Sequence, residues 1–465
     1  MILEQYYIRC LSQSSYLIGD LLTGEAAVVD PRRDIDEYLS KAEQFGLTVK
    51  HAVLTHFHAD FASGHLELMK ECGATIYLGE GAAAEYPFTT LFDGDTIEMG
   101  QVCMRALATP GHTPESLSFL VFDRDLSTIE PQAVLTGDTM FIGDVGRPDL
   151  LGSVGITAED MAGRLYDSLR DKLMKLPPAT IVYPGHGAGS MCGKSLSTDT
   201  SSTIGVQLAN NWALQPMSRD EFVEMITVGQ PQTPAYFSYD VSFNKHWHET
   251  LDETTTESLR PLTPEVFLNA RSEGTQVLDT RNADDYVKQH VRQSIHVGLS
   301  GKFATWAGTV LEADRPIVLI CDPGTEEGAI LRLGRIGFDH VVGYLDGGFG
   351  ALHTTRGTED VMWSGGRITA AELPAHLKSH PDGALLDVRT PDEYEQGSID
   401  GSMWIPLNQL RDRHDEVARD CHITIYCGGG YRSAIAMSIL ESFSCYDQVD
   451  LIGGWTAWQR QFSSA

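Results

Sequence analysis

The sequence predicts an α/β multidomain protein, and two patterns along the chain support this prediction. Between residue 1 and about residue 190, short β-rich runs alternate with helical stretches, which is typical of layered α/β folds. The C-terminal half then carries one α/β pattern twice, with Cys321 and Cys427 standing 106 positions apart in matching surroundings. A repeat this long indicates a duplicated domain with a parallel sheet, because solenoid repeats are only about 20 to 50 residues long. We therefore expect three domains, at residues 1–258, 259–357 and 358–465.

Composition and charge exclude several classes of protein. With 42% hydrophobic residues, 21% charged residues and no apolar run near ~18 residues, the chain has a globular composition and no membrane partner is expected. The net charge of −30 argues against nucleic acid, because binding depends on Lys and Arg at phosphates. The eight cysteines include no Cys-x-x-Cys pair, which argues against a disulfide framework. The start lacks the pattern of a signal peptide, so we expect a cytoplasmic protein, and we expect a homo-oligomer, a dimer or tetramer.

Polar clusters follow predicted strands of the first domain at four places. The strands are predicted at residues 6–9, 26–29, 52–54, 75–78, 133–136 and 180–183. The clusters contain four histidines and two aspartates, which are His56, His58, Asp60, His112, Asp138 and His186. A lone histidine after a strand is usually structural, but six such donors on strand-end loops predict a metal centre. Imidazole and carboxylate groups are ligands that first-row divalent metals accept readily.

These motifs resemble the metallo-β-lactamase superfamily, whose signature is His-x-His-x-Asp-His followed by a later His, Asp and His. The resemblance implies that the first domain is an αβ/βα sandwich. Binuclear zinc hydrolases of this superfamily, such as glyoxalase II, bind the second metal with the histidine directly after the aspartate, and here that position is Phe61. His65 lies four residues further on and would need a rearranged loop to replace it. The departure favours a single metal ion.

The resemblance to the persulfide dioxygenases of this superfamily implies one Fe(II) per chain, held by His56, His112 and Asp138. Two histidines and one carboxylate leave positions open for both O2 and a substrate sulfur. The implied reaction oxidises a low-molecular-weight thiol persulfide, carried by glutathione, coenzyme A or a similar thiol, to sulfite and free thiol. The groups expected to orient the ligands and handle protons are His58, Asp60 and His186. The alternative is a zinc-dependent thioester hydrolase of the glyoxalase II type with appended sulfurtransferase domains.

Two further segments of the first domain are candidates for binding the thiol carrier. In the persulfide dioxygenases an arginine at the place of Arg147 binds the carrier, so Arg147 is expected to bind a carboxylate; the alternative is an ordinary salt bridge. Where glutathione-using enzymes place a tyrosine shortly after the last histidine, this chain has Ala188 and then a Gly/Cys/Lys loop. Cys192 and Lys194 of that loop either line the pocket or have a structural role.

A cysteine loop in the last domain is a candidate sulfur-transfer site. Cys427 follows the apolar run 423–426 and precedes a predicted helix at 433–440, so backbone N–H groups at a helix N-terminus can stabilise an anion on its sulfur. The Cys-x-x-Gly-x-Arg pattern, with Asp387-Val-Arg389 and Gly453-Gly-Trp455, resembles an active rhodanese. The resemblance implies that Cys427 accepts sulfane sulfur from thiosulfate or a persulfide and that Arg432 steadies the incoming anion. The other expected substrate-binding residues are Gly428, Gly429, Gly430 and Tyr431.

The first copy of the repeat differs from the second in its loop charges. Glu326 replaces the arginine, and Asp322 and Glu327 also flank the thiol of Cys321. These acids disfavour both a thiolate and an anionic substrate, so we predict a catalytically silent rhodanese fold with a structural role. The alternative is a low residual activity of Cys321.

The order of the three domains resembles the bacterial persulfide dioxygenase–sulfurtransferase fusions. Such a fusion implies that sulfite from the iron site and persulfide sulfur on Cys427 combine to thiosulfate, or that the reverse reaction supplies persulfide. The thiol carrier and the direction of sulfur transfer stay open at this point.

Overall fold

The computed structural model describes residues 1–150, 155–230, 232–418 and 421–462, and the chain divides into two compact units. Unit 1 comprises Met1–Glu253 together with Gly334–Gly337. Unit 2 comprises Thr254–Leu333 and Phe338–Ala465, and it therefore contains both copies of the repeat. No helix in the described ranges has the length and apolar character needed to span a bilayer.

Two six-stranded sheets form the centre of unit 1, as far as the described residues show. The strands of the first sheet, which are adjacent in chain order, are β1 (Ile2–Ile8), β2 (Gln13–Asp20), β3 (Glu25–Val29), β4 (Thr48–Val53), β5 (Thr75–Gly79) and β6 (Thr89–Leu91). The strands of the second sheet are β7 (Thr96–Met99), β8 (Val102–Ala108), β9 (Leu117–Asp123), β10 (Ala133–Gly137), β11 (Ile181–Pro184) and β12 (Ser202–Thr203). Strands β3 to β6 pair in parallel, as do β10 and β11, while all other neighbours are antiparallel.

The core of unit 1 lies between the sheets and beneath the helices. Its helices are α1 (Asp36–Gln44), α2 (His65–Cys72), α3 (Ala158–Asp171), α4 (Ile204–Asn210), α5 (Arg219–Thr227) and α6 (Tyr236–Phe243). Val29 and Val53 of the first sheet share an apolar cluster with Phe119 and Leu135 of the second. A second cluster buries α1 and α2 against the first sheet, and a third buries α3, α4 and α5 against the second. These layers are the predicted αβ/βα sandwich, which is thus confirmed.

Two parallel sheets of five strands each form unit 2, again over the described residues. The helix α7 (Leu251–Ser258) precedes them. The first sheet has the order β13-β18-β17-β14-β16, with strands β13 (Pro261–Leu262), β14 (Gln276–Asp279), β16 (Ile295–His296), β17 (Ile317–Ile320) and β18 (Val341–Leu345). A short antiparallel pair joins β15 (His290–Val291) to β19 (Met362–Trp363). The second sheet has the order β20-β24-β23-β21-β22, with strands β20 (Gly366–Ile368), β21 (Ala384–Asp387), β22 (Met403–Trp404), β23 (Ile423–Tyr426) and β24 (Gln448–Leu451).

The two sheets of unit 2 have the same strand order, so the repeat seen in the sequence is a repeat of structure. Their helices are α8 (Pro264–Ser272), α9 (Ala283–Lys288), α10 (Phe303–Val310), α11 (Glu326–Gly334), α12 (Gly350–His353), α13 (Leu373–Ser379), α14 (Pro391–Glu395), α15 (Tyr431–Ser442) and α16 (Gly454–Phe462). In each copy a helix follows the strand that ends in the motif cysteine, which places α11 after β17 and α15 after β23. Both cysteines therefore lie at the carboxyl end of a parallel strand, where loops commonly carry function.

Candidate metal centre and candidate sulfur-transfer site

Three of the predicted metal ligands converge at strand ends of unit 1. His56 follows β4, His112 follows β8 and Asp138 follows β10; all three are buried, and one donor atom of each lies within 4.8 Å of the others. Asp138 Oδ2 lies 3.6 Å from His112 Nε2 and 3.9 Å from His56 Nε2. These separations are too long for hydrogen bonds but suit donors that face a common ion.

Two polar atoms of this group are buried and make no hydrogen bond. His112 Nε2 and Asp138 Oδ2 are inaccessible and have no hydrogen-bond partner. Leaving a buried polar atom without a hydrogen bond lowers the free energy of unfolding by about 1–3 kcal/mol. Two such atoms that face one point therefore require another favourable interaction there. A divalent cation supplies that interaction, and the donor set of two imidazoles and one carboxylate fits a first-row metal.

Hydrogen bonds fix which nitrogen of each histidine faces the centre. His112 Nδ1 donates to the backbone carbonyl of Arg147 at 2.9 Å. His56 Nδ1 lies 2.9 Å from the Thr55 hydroxyl, and that hydroxyl donates to Asp30 Oδ2 at 2.9 Å. Because a hydroxyl has one proton and the Asp30 carboxylate only accepts, His56 Nδ1 is the donor to Thr55. Both Nε2 atoms therefore carry a lone pair, as a metal ligand requires.

The electrostatics of the centre favour the ligating forms of all three groups. Burial, followed by the nearby His58 ring, lowers the pKa of His56 well below its ordinary value, and burial lowers the pKa of His112. Burial opposes ionisation of Asp138, but the surrounding histidines, led by His186, outweigh it and hold the pKa of this carboxyl well below its usual range. The centre thus combines neutral imidazoles with an ionised carboxylate.

The three residues predicted to orient ligands and handle protons surround this group. His186 follows β11, and its Nδ1 donates to Asp138 Oδ1 at 2.8 Å. Its Nε2 lies 2.9 Å from Asp60 Oδ2, without the alignment of a hydrogen bond. Burial opposes a charge on His186, but the carboxylates of Asp138 and Asp60 raise its pKa well above the ordinary value. His58 Nε2 lies 2.9 Å from Asp30 Oδ1, also without the alignment of a hydrogen bond, so this ring lies beside the same aspartate that supports His56.

A second group of donors lies beside the first, with a thiol among them. Donor atoms of Asp60, His186 and Cys192 lie within 4.8 Å of one another, and all three residues are buried. Phe61 is buried with its ring 4.3 Å from the His58 ring and offers no donor. His65 begins α2 and belongs to none of the metal-capable groups found among the described residues. Burial and the carboxylates of Asp60 and Asp138 raise the pKa of Cys192 well above its ordinary value, which favours the thiol over the thiolate.

Arg147 and Lys194 are already engaged by groups of unit 1. The buried Arg147 guanidinium donates to both oxygens of Asp149, at 2.7 and 2.8 Å, and to the Thr233 hydroxyl at 3.1 Å. This contact is the salt bridge named as the alternative for Arg147, and binding of a carrier carboxylate by this arginine stays a prediction. Lys194 Nζ donates to the backbone carbonyls of Met225 and Val228. Its charge is therefore directed toward the C-terminal end of α5.

Three groups that the sequence analysis missed position the metal ligands. They are the Asp30 carboxylate, the Thr55 hydroxyl and the Arg147 carbonyl. Asp30 follows β3 directly and has φ of +51°, a left-handed conformation that few residues other than glycine adopt. Its place just after an apolar strand is the same signal that identified the other four clusters.

The loop after β23 is shaped to receive a sulfur anion. The backbone N–H of Gly430 donates to Cys427 Sγ at 3.1 Å, and Gly430 caps α15 with φ of +102°. A Cβ at Gly454 would lie 2.1 Å from the Cys427 carbonyl oxygen, so a larger residue does not fit there. The N–H of Trp455 donates to that same carbonyl at 2.7 Å. The Gly453-Gly-Trp455 motif therefore holds the cysteine loop in place.

Arg432 and Tyr431 have partners on opposite sides of this loop. Arg432 makes a bidentate pair with Glu393, with both N–O distances 2.7 Å. Burial opposes ionisation of Glu393, but the hydrogen bonds from Arg432 lower its pKa to about 2. The Tyr431 hydroxyl donates at 2.8 Å to the carbonyl of Gly298, which belongs to the first copy. The guanidinium is thus oriented beside the loop, whereas the tyrosine hydroxyl is used in the contact between copies.

The corresponding cysteine of the first copy is in an acidic environment. Burial, with the carboxylates of Glu326, Asp279 and Asp322, raises the pKa of Cys321 to about 12. The thiol therefore stays protonated near neutral pH. Burial, followed by the charge of Arg432, lowers the pKa of Lys302, a residue of the same first copy. The first copy thus adds a cation near the second copy's loop.

Comparisons with known proteins match one protein family within unit 1 and a second family twice within unit 2. The model of the metallo-beta-lactamase superfamily matches residues 8–186, and that of the rhodanese-like domain matches residues 263–355 and 369–461. The mitochondrial persulfide dioxygenase ETHE1 of Homo sapiens is 31% identical over 192 residues, which cover 40% of this chain and 68% of that protein. A hydroxyacylglutathione hydrolase of Rhodospirillum rubrum is 34% identical over 187 residues, 40% of this chain and 66% of that protein.

A solved structure matches over a longer part of the chain. The crystal structure of a metallo-beta-lactamase from Staphylococcus aureus subsp. aureus COL is 33% identical, with a TM-score of 0.66. The match covers 74% of this chain and 98% of that chain. The protein therefore belongs to the metallo-β-lactamase superfamily and joins a domain of that superfamily, with persulfide dioxygenase homologues, to two tandem rhodanese-like domains.

Proposed function

We propose that the first domain is a mononuclear Fe(II) persulfide dioxygenase and that the last domain transfers sulfur through Cys427. The observation that carries the first part is the gathering of His56, His112 and Asp138 while Phe61 fills the position of a second-metal histidine. The similarity to human persulfide dioxygenase over this domain supports the same conclusion. The proposed borders are residues 1–258, 259–357 and 358–465.

The chain's own residues would hold the iron and keep its ligands aligned. His56 and His112 would bind through Nε2 and Asp138 through Oδ2, since these atoms face one another and the other ring nitrogens are occupied. Bound Fe(II) with three protein ligands supplies positions for O2 and for a substrate sulfur anion. His186 holds Asp138 Oδ1 and so turns Oδ2 toward the two histidines.

Proton handling falls to the pair formed by His186 and Asp60. Oxidation of a thiol persulfide anion by O2 and water to sulfite and thiol releases one proton for each persulfide. Asp60 Oδ1 is buried without a hydrogen-bond partner, and Asp60 Oδ2 lies 2.9 Å from His186 Nε2. This carboxylate is therefore placed to accept a proton beside the metal ligands.

The sulfur-transfer step uses the cysteine loop of the second copy. Cys427 sulfur attacks the outer sulfur of thiosulfate, a new S–S bond forms, and sulfite leaves with the electron pair of the broken S–S bond. The Gly430 N–H, 3.1 Å from Sγ, and the Arg432 guanidinium stabilise the anions on either side of this step. The reverse direction combines sulfite from the iron site with Cys427 persulfide to give thiosulfate.

The proposed coupling of the metal centre to Cys427 is tested by measuring the ratio of sulfite to thiosulfate. We expect the full chain, supplied with glutathione persulfide or coenzyme A persulfide, to form sulfite and thiosulfate. Cys427→Ser should shift the ratio toward sulfite, while Cys321→Ser, the matched control in the first copy, should leave it unchanged. An equal ratio in wild type and Cys427→Ser would reject the coupling.

A zinc-dependent thioester hydrolase is the second candidate for the first domain. It is favoured by the similarity to hydroxyacylglutathione hydrolase and by the group of Asp60, His186 and Cys192 beside the first metal site. Metal analysis after anaerobic purification separates the candidates. About one iron per chain with O2 uptake supports the dioxygenase, whereas about two zinc ions without O2 uptake support the hydrolase.

A further inference from the structure

A third group of metal-capable side chains lies in the last domain, apart from both sites described above. His376 lies in α13, His380 directly follows this helix, and His422 directly precedes β23. One donor atom of each lies within 4.8 Å of the others, and all three rings are partly accessible to solvent. Cys427 follows the last residue of β23, so the histidine group and the cysteine loop lie at opposite ends of this strand.

The fold brings these three rings together from distant parts of the sequence. His376 and His380 are four residues apart at the end of a helix, a spacing that places two side chains on one face. The N–H of Ala384, where β21 begins, donates to the His422 carbonyl at 2.8 Å. This bond holds the start of β23 next to the turn that leaves α13. The rings of His380 and His422 stack as a result, with centroids 4.0 Å apart.

Hydrogen bonds prepare two of the rings as metal ligands. His422 Nδ1 lies 2.9 Å from Asp447 Oδ1, a carboxylate that can only accept, so the ring proton is on Nδ1 and Nε2 carries a lone pair. His380 Nδ1 lies 3.0 Å from the His376 carbonyl oxygen, which also only accepts. The Ser379 hydroxyl near this nitrogen donates to the same carbonyl at 2.7 Å. A histidine that donates one ring N–H to a carboxylate or carbonyl is the usual arrangement around protein-bound zinc.

The third ring, that of His376, lies against the Nε2 atom of His422. The Nε2 atoms of His376 and His422 are 2.7 Å apart. Since His422 Nε2 carries a lone pair, the metal-free His376 ring donates its Nε2 proton to it. A metal ion at this point replaces that proton, and His376 becomes a ligand when its proton moves to Nδ1. The three donor nitrogens already lie within 4.8 Å of one another.

We propose that His376, His380 and His422, called here the tri-histidine site, bind one Zn²⁺ ion per chain. Three imidazoles with a water molecule give the four-coordinate arrangement that Zn²⁺ prefers. Imidazole nitrogen suits Zn²⁺, and a site of three imidazoles without a carboxylate differs in ligand type from the centre in the first domain. The ion ties the end of α13 to the start of β23 and, through Asp447, to the start of β24. Its role is to stabilise the sheet that carries Cys427.

Zinc binding to the full chain tests this proposal. Metal-free protein is titrated with Zn²⁺ against a chromophoric chelator, and bound zinc is counted. We expect His422→Gln and His376→Gln each to bind about one equivalent less than wild type. His414→Gln is the matched control, because His414 lies in the same domain, stacks on Phe443 and belongs to none of the three groups. It should bind as much zinc as wild type.

Two further measurements separate this site from the first-domain centre and from a loss of folding. His56→Ala should lose metal at the first centre and still bind the zinc equivalent assigned to the tri-histidine site. Zinc should raise the melting temperature of wild type and His56→Ala but not that of His422→Gln or His376→Gln. If His422→Gln does not fold, His376→Gln on the partly exposed helix carries the test. Equal zinc stoichiometry in wild type and the folded tri-histidine variants would overturn the proposal.

Discussion

The two rhodanese-like copies place a cysteine at the same point of the same sheet but in opposite electrostatic surroundings. Cys321 follows β17 among acidic groups, and its pKa is raised to about 12 by burial and those acids. Cys427 follows β23, accepts an N–H bond from Gly430 and has Arg432 in the first turn of the following helix, α15. The fold therefore sets where the sulfur lies, and a few loop residues decide what it can do.

The scaffold around the two cysteine loops has the same ion pair in both copies. Arg281 pairs with Asp279 in the first copy as Arg389 pairs with Asp387 in the second, and both guanidinium–carboxylate contacts are 2.6 Å. The first copy also supports the second directly. A buried pair joins His290 of the first copy to Glu441 of the second at 2.7 Å. These contacts fit the predicted role of the first copy as a structural support for the second.

Removing the two cysteines in turn should give the largest difference between the copies. Cys427→Ser should lower sulfur transfer from thiosulfate to a thiol acceptor by more than about 1000-fold, the scale of losing a nucleophile. Cys321→Ser should leave the rate unchanged, because this thiol stays protonated. Steady-state rates of both full-length variants measure the effect. Equal losses in the two variants would show that the first copy is not silent.

Changing the loop charge should make the second copy behave like the first. Arg432→Glu places an acid at the position of the second copy that corresponds to Glu326 in the first. It also removes the partner of Glu393. We expect sulfur transfer from thiosulfate to fall by about 10- to 100-fold, since hydrogen bonds to charged groups contribute about 1.5–3 kcal/mol. Arg432→Lys keeps the charge without the bidentate geometry and should lose less. A rate for Arg432→Glu near that of wild type would remove the electrostatic explanation.

Removing a cation of the first copy should affect sulfur transfer at Cys427 less than changing Arg432 does, and the effect should appear in substrate binding. Lys302→Ala removes a cation that interacts with Arg432. We expect the KM for thiosulfate to rise by about 2- to 10-fold with little change in kcat, as for one hydrogen bond or weak ion pair. The exposed Lys288 of the same copy provides the control variant Lys288→Ala. An identical KM in wild type and Lys302→Ala would limit the first copy to a structural role.

The pH dependence of thiol labelling should show the smallest effect, because it concerns the cysteine of the first copy alone. With a pKa of about 12, Cys321 forms little thiolate at pH 7, and its thiolate fraction should rise about tenfold for each pH unit up to pH 10. Alkylation of Cys321, followed by mass spectrometry in the Cys427→Ser protein, measures this rise. The partly exposed Cys421 is the internal reference. Rapid labelling of Cys321 at pH 7 would contradict the assigned environment.

Motifs and strand patterns were enough to predict the architecture. The predicted strands at 26–29 and 133–136 correspond to β3 and β10, and the run 423–426 is β23. The strands β2, β8 and β9 were not predicted, because they lack a simple alternation of polar and apolar residues, and β2 and β9 are buried along their whole length. The duplication was visible because both copies keep the same short motifs at the same spacing.

The metal donors were predicted, but the groups that orient them were not. His56, His112 and Asp138 stand in recognisable motifs, whereas Thr55 and the Arg147 carbonyl act through hydrogen bonds that only tertiary packing creates. The salt bridge named as the alternative for Arg147 is present with Asp149, two residues away, whereas its contact with the thiol carrier stays a prediction. The tri-histidine site was not predicted, because only His376 and His380 are close in the sequence, and two strands, an α-helix and several loops separate them from His422.

The central claim, that the first domain oxidises persulfide sulfur with O2, is tested most directly by stoichiometry. Anaerobically purified protein is mixed with glutathione persulfide in an oxygen electrode, and O2 and total sulfite are measured on the Cys427→Ser variant, in which sulfite is not consumed. The account predicts about one O2 consumed for each sulfite formed, and loss of both in His112→Ala. Thioester hydrolysis without O2 uptake, or persulfide turnover that yields no sulfite, would contradict it.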